Sequence, residues 1–151
     1  MDDKDQLYRS IGMYVYWFSR LDAIVHLVAQ KLLGLSTEQF NCVMPVIDFV
    51  SACNICKAQI PTKLEAAKAK RGLKLIDDAL AVNGDRTRVV HGLWFYTEGS
   101  HAIHASKGKL EHAAYFEQPG ELTSKALKLE ELSHEIFRLF DPWSVYSSDV
   151  R

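Results

Sequence analysis

Residues 5–33 read DQLYRSIGMYVYWFSRLDAIVHLVAQKLL. Leu7, Ile11, Tyr14, Phe18, Leu21, Val25, Val28 and Leu32 recur at spacings of 4-3-4-3-4-3-4. That period lays one apolar stripe along an α-helix. At 1.5 Å of rise per residue the helix is roughly 43 Å long. Met13, Val15, Trp17 and Ile24 widen the apolar surface, enough to serve a second subunit as well as the helix's own core. Gly34 marks its C-terminal stop. Arg20, Asp22, His26, Gln30 and Lys31 interrupt the stretch, which a membrane span would not tolerate.

Working outward, Ser36-Thr37-Glu38-Gln39 has the form of a capping box. It opens a short helix that stops near Pro45. A second helix is expected from Pro45 to Gln59, since proline suits the first helical position, with Pro61 ending it. Residues 62–70 read as a solvated connector. Gly72 then opens a long helix in which Leu73, Ile76, Leu80, Asn83, Thr87, Val90 and Trp94 repeat at 3-4-3-4-3-4. The register survives across Asn83-Gly84, so the helix is read as continuous rather than turning there. Its stripe turns polar at Asn83 and Thr87.

From Tyr96 to Gln118 the period changes. Turn signals at Glu98-Gly99-Ser100 and Lys107-Gly108-Lys109 bracket His101–Ser106, with Leu110–Glu117 beyond, the pattern of a β-hairpin. A last helix is expected over Ser124–Phe140, with Leu129, Leu132, Ile136, Leu139 and Phe140 inward, stopped by Asp141-Pro142. The reading is an all-α bundle of four to five helices in one domain, 1–151, with a β-hairpin insertion at about 96–118 before the last helix.

The 151 residues are 48% hydrophobic and 25% charged, enough apolar material for a core without disulfides or a structural metal. Eighteen Lys and Arg against nineteen Asp and Glu leave a net charge of −1. That argues against a dedicated duplex-DNA binder, whose affinity comes from a large basic excess. The acidic start and the odd count of three cysteines, Cys42, Cys53 and Cys56, fit a cytoplasmic protein with no signal peptide.

The polar interruption of the long helix holds Arg86-Thr87-Arg88-Val89-Val90-His91. Histidine exchanges protons near neutral pH, and arginine grips a phosphate through forked hydrogen bonds. Together they are a minimal kit for metal-free RNA cleavage. Thr87 and His91, four apart, share a helix face, whereas Arg86 and His91 are separated by about 140° of rotation.

Arg86-Thr87-Arg88-Val89-Val90-His91-Gly92-Leu93-Trp94 resembles the signature of HEPN (higher eukaryotes and prokaryotes nucleotide-binding) domains: an arginine, a polar residue, a few more positions, then histidine. The resemblance implies a dimeric helical bundle in which both copies of the motif line one cleft. It implies a metal-independent endoribonuclease of a bacterial toxin–antitoxin or phage-defence system, without cofactor or metal. Arg86, Thr87 and His91 would be catalytic and Arg88 substrate-binding. RNA, a second copy of the chain, and an antitoxin or nucleotidyltransferase-like protein would be partners. Thr87 departs from the Asn or Asp that is commonest at the polar position. The alternative is a catalytically inactive helical homodimer that binds a protein or a nucleotide.

Three other groups stand out. Cys53-Asn54-Ile55-Cys56, with Cys42 or His26, has the spacing of half a zinc site, but no second close pair completes it, and on a helix such cysteines pack as small hydrophobes. His101, His104 and His112 fall in the hairpin, where His101 and His104 alternate faces and so do not share a metal. Lys57, Lys63, Lys68, Lys70, Arg71 and Lys74 form a basic run, read as a solvated face or as a patch that steers RNA.

Overall fold

The computed structural model describes residues 3–96, 100–105 and 112–145. Among these it is an all-α bundle of five helices with a small antiparallel sheet inserted before the last one. The helices are α1 (Asp3–Leu33), α2 (Thr37–Val43), α3 (Phe49–Lys63), α4 (Ala66–His91) and α5 (Glu121–Phe140). No helix among the described residues is long and apolar enough to cross a membrane.

The stripe of α1 is the core that its spacing predicts. Leu7, Tyr14, Phe18, Leu21, Val25, Val28 and Leu32 are all buried. Ile11 alone is half-buried. Gly34 and Leu35 close the helix by donating to the Lys31 and Gln30 carbonyls, at 3.2 and 3.1 Å. The capping box is present too: Ser36 Oγ accepts from Gln39 N–H, and Gln39 Oε1 accepts from Ser36 N–H.

Between residues 44 and 66 the boundaries differ from those expected. Met44–Val46 is a single 3₁₀ turn, and α3 begins only after Asp48, whose Oδ1 caps the Ser51 N–H at 2.7 Å. Pro61 does not end α3. It lies inside the last turn, where it removes one backbone bond without stopping the chain from reaching Lys63. The long helix opens at Ala66, not Gly72. Its cap is Glu65, whose two carboxylate oxygens accept from Ala67 and Lys68 N–H at 3.1 and 2.6 Å. Glutamate ranks low among N-cap residues, so the composition there reads as a connector.

The α4 stripe shifts by one residue from the expected one. Ala69, Leu75, Ile76, Ala79 and Val89 are buried, while Val90 is 45% exposed. Gly72 is inside the helix and buried. A Cβ there would come within 2.9 Å of the Phe140 ring and 3.6 Å of Ile60, so the glycine permits a close helix approach.

The expected hairpin is the last two strands of a three-stranded sheet, β1 (Leu93–Tyr96), β2 (Ser100–Ala105) and β3 (His112–Tyr115), in that order. Leu93 pairs with Ile103, and Ile103 with Ala114. The added strand is Leu-Trp-Phe-Tyr, a run with high β-propensity. Residues 106–111, in the expected hairpin, lie outside the described residues.

The chain divides into two compact units, 1–19 with 82–130 and 20–81 with 131–151. Neither is a continuous stretch, since α1, α4 and α5 contribute a segment to each. In the first unit, Ser10 Oγ and Thr123 Oγ1 share a hydrogen bond at 2.8 Å, Tyr14 OH donates to the Val82 carbonyl at 3.2 Å, and Trp94 stacks on Phe116. In the second, Lys31 Nζ donates to the Phe140 and Asp141 carbonyls and to Ser144 Oγ, at 2.8–2.9 Å. Cys56 Sγ donates to the Val25 carbonyl at 3.7 Å.

Candidate functional site

The candidate segment is the last turn and a half of α4. It leads into β1 through one residue. Gly92 N–H donates to the Arg88 carbonyl at 2.8 Å. A Cβ on Gly92 would lie 2.3 Å from that carbonyl oxygen and 3.2 Å from the Ala102 Cβ. Only glycine lets the chain leave the helix there so sharply. Trp94 Nε1 donates back to the Val89 carbonyl at 3.1 Å and ties β1 to the helix end.

The four candidate residues have different surroundings. His91 is the terminal residue of α4 and is exposed. Arg86 is half-buried, with its guanidinium carbon 5.8 Å from the centroid of the Phe18 ring, and no carboxylate among the described residues pairs with it. Thr87 Oγ1 donates to the Asn83 carbonyl, one turn back, at 3.2 Å. That back-bond uses the hydroxyl proton and leaves the oxygen able only to accept. Arg88 Nη1 donates to Asp85 Oδ1 at 3.0 Å, and its guanidinium lies 4.2 Å from the centroid of the Tyr115 ring.

Asp85 is the residue that sequence reasoning missed. Its second oxygen, Oδ2, accepts from Lys125 Nζ on α5 at 2.7 Å. The pattern Asp-x-x-Arg at positions 85 and 88 was a readable signal for the first of these bonds; the second joins positions 40 apart and has no local signature. Burial pushes the nearby Tyr14 phenol up, and the Asp85 carboxylate adds to the shift.

Helix geometry decides what one chain brings together. Three residues of rotation put Arg88 about 60° from His91, on the same side of α4, whereas Arg86 is about 140° away. The Arg86–His91 pair is therefore not assembled on a single face.

The remaining candidates are occupied or buried. Cys53 and Cys56 are buried on α3, and burial pushes both thiols up to about 12. They pack as small apolar groups rather than as thiolate ligands. His26 is not placed to join them as a ligand: Nδ1 faces the Asp22 carbonyl and Nε2 the Ile47 carbonyl, each at 2.9 Å. Among the described residues no three His, Cys, Asp or Glu groups are gathered to hold a metal. The side chains of His101, His104 and His112 lie outside the described residues. In the basic run, Lys57 pairs with Asp77, Lys74 with Asp78 and Arg71 with Glu135. No family model matches the chain, and neither does any curated protein or solved structure.

Proposed function

We propose that this protein is a metal-independent endoribonuclease of the HEPN type, acting as a homodimer in a bacterial toxin–antitoxin or phage-defence pair. The observation that carries the reading is the contrast between the two arginines. Arg88 is committed to Asp85, while Arg86 has no carboxylate partner among the described residues. A guanidinium kept half-buried over an aromatic ring, with no acid among the described residues claiming its fork, is suited to a phosphate.

His91 takes the proton of a 2′-hydroxyl, whose oxygen attacks the adjacent phosphorus. The P–O5′ bond breaks, the leaving oxygen takes up a proton, and a 2′,3′-cyclic phosphate remains. Arg86 stabilises the charge that builds on the phosphorane oxygens. Thr87, its proton committed to Asn83, serves only as an acceptor. Because about 140° separates Arg86 from His91 on one helix, the reading pairs Arg86 of one copy with His91 of the other. An antitoxin or nucleotidyltransferase-like protein is the expected partner.

The competing reading, a silent homodimer that binds a protein or a nucleotide, is favoured by the same separation and by the Thr87 back-bond. Cleavage of single-stranded RNA in EDTA separates the two. His91→Ala and Arg86→Ala should each lower the rate at least about 10²-fold without changing the circular dichroism spectrum. Wild-type rates in both variants would remove the assignment.

A further inference from the structure

Most described ion pairs of this chain are one acid to one base. Asp85 differs: its carboxylate receives two cations, Arg88 Nη1 at 3.0 Å and Lys125 Nζ at 2.7 Å. The cluster therefore keeps a net charge of +1. Its layering is unequal as well. The Asp85 side chain is 18% exposed, while those of Arg88 and Lys125 are 36% and 32% exposed. The acid lies deeper, and the two cations keep surface that solvent or an anion can reach.

The cations are also held in place by rings. The Arg88 guanidinium lies 4.2 Å from the Tyr115 ring centroid, and Lys125 Nζ 5.8 Å from that of Phe116. Phe116 is buried and has φ 62°, a left-handed backbone that bulky residues adopt only when their surroundings fix it. Trp94, stacked on it with ring centroids 5.7 Å apart, is part of that fixation. Two pre-ordered cations bind an anion at less entropic cost than two flexible ones. Arg88, moreover, is the arginine on His91's side of α4.

We propose that Arg88 and Lys125, held by Asp85, form a second phosphate subsite that takes the RNA backbone phosphate next to the one cleaved at His91. The identity of the ligand as RNA rests on the ribonuclease reading; the anion subsite rests on the cluster alone. Asp85 is then a positioning residue and an internal competitor. It orders both cations and lowers their charge until a phosphate shares them.

The test measures binding of a fluorescein-labelled 2′-O-methyl decauridylate, which cannot be cleaved, by anisotropy across salt concentrations of about 50 to 200 mM. Arg88→Gln and Lys125→Gln should each reduce the slope of log affinity against log salt by about 0.7, the loss of one single-strand phosphate contact. Arg88→Lys should restore most of it. Asp85→Asn should act in the opposite direction and tighten binding, because it frees both cations. A cluster that served only as a brace would weaken binding in all of these variants, in step with their melting temperatures, and that result overturns the proposal. So do unchanged slopes in Arg88→Gln and Lys125→Gln. The two readings fail separately: slopes that behave as stated in a protein that cuts no RNA leave the subsite standing and remove the nuclease, and cutting with unaltered slopes does the reverse.

Discussion

His26 on α1 faces two backbone carbonyls at once, Asp22 through Nδ1 and Ile47 through Nε2. A neutral imidazole has one N–H, so only the cation can donate to both. The Asp22 carboxylate, with Oδ1 at 2.9 Å, is the largest cause that holds the proton, and the Ile47 carbonyl adds to it against the cost of burial. The Nδ1–H is aimed at the Asp22 carbonyl, so Oδ1 acts as a counter-charge and has no hydrogen bond of its own. The His26 pKa rises from 6.5 to about 9. A group that binds its proton more tightly when folded stabilises the fold fully below its unfolded pKa and loses that contribution as pH climbs through the folded value. Stability should therefore fall between pH 6.5 and about 9, by at most about 3 kcal/mol. Urea titrations across that range should show a steeper decline in the wild type than in His26→Gln, where only the onset of thiol ionisation in the unfolded chain, at Cys53 and Cys56, remains near the upper end. An equal decline in both would assign it to another group. Lys31 works comparably at the end of α5, spending its three donors on Phe140, Asp141 and Ser144. Lys31→Met should cost about 1–3 kcal/mol, chiefly through the Phe140 carbonyl losing its donor, since the Asp141 carbonyl still accepts from Ser144, read as a lowered urea midpoint. The spacing of four between Asp22 and His26 was a readable signal, but the Ile47 contact and the role of Lys31 were not, because each joins a side chain to groups far along the chain.

Among the elements, α4 separates what hydropathy reports from what packing uses. Continuity across Gly84 was legible, and the helix runs unbroken from Ala66 to His91. The buried face differs by one position from the expected one, because Leu73, Leu80 and Val90 weigh heavily in a hydrophobic pattern while Ala69, Gly72 and Ala79 do not. The structure buries the small ones, since they let helices approach closely. This gives two glycines in one helix opposite expectations. Gly84 is exposed, and a Cβ added there would meet nothing within 4 Å, so Gly84→Ala should stabilise by about 0.5–1 kcal/mol through helix propensity. Gly72→Ala gains the same propensity but drives its methyl against the buried Phe140 ring, 2.9 Å away, where overpacking costs about 1–3 kcal/mol. Calorimetry should find the melting temperature raised in the first variant and lowered in the second, with Phe140→Leu recovering part of the loss. A stabilised Gly72→Ala would mean that the ring yields freely. In contrast, the main stripe of α1 was legible because most of its positions carry large apolar side chains, for which hydropathy and burial agree, although Ser10 and Gln30 are buried beside it.

For the molecule as a whole, the candidate site was legible as a sequence of residues and not as an arrangement. Arg86 and His91 could be picked out by chemistry and spacing. The sharing of Asp85 between Arg88 and Lys125, while Arg86 has no carboxylate partner among the described residues, needed α5 in place. The helix itself imposes the remaining constraint: about 140° between the two groups means that a single α4 does not present them to one phosphate. If catalysis is shared across a two-fold axis, each cleft of the homodimer uses Arg86 from one copy and His91 from the other. Two inactive variants then complement each other. In a mixed dimer of Arg86→Ala and His91→Ala, one cleft carries both lesions and the other carries neither. An equimolar mixture that exchanges freely is half mixed dimers, so activity should return to about one quarter of the wild-type rate. With both groups acting from the same copy, every cleft in the mixture keeps one lesion and no activity returns. The wild type mixed with the double variant Arg86→Ala/His91→Ala is the counterpart: shared clefts lose both mixed-dimer sites and leave about one quarter, while unshared clefts leave about one half. Sedimentation of the mixtures at the assay concentration establishes that dimers form and exchange, so a failure to complement counts against the shared cleft and not against mixing.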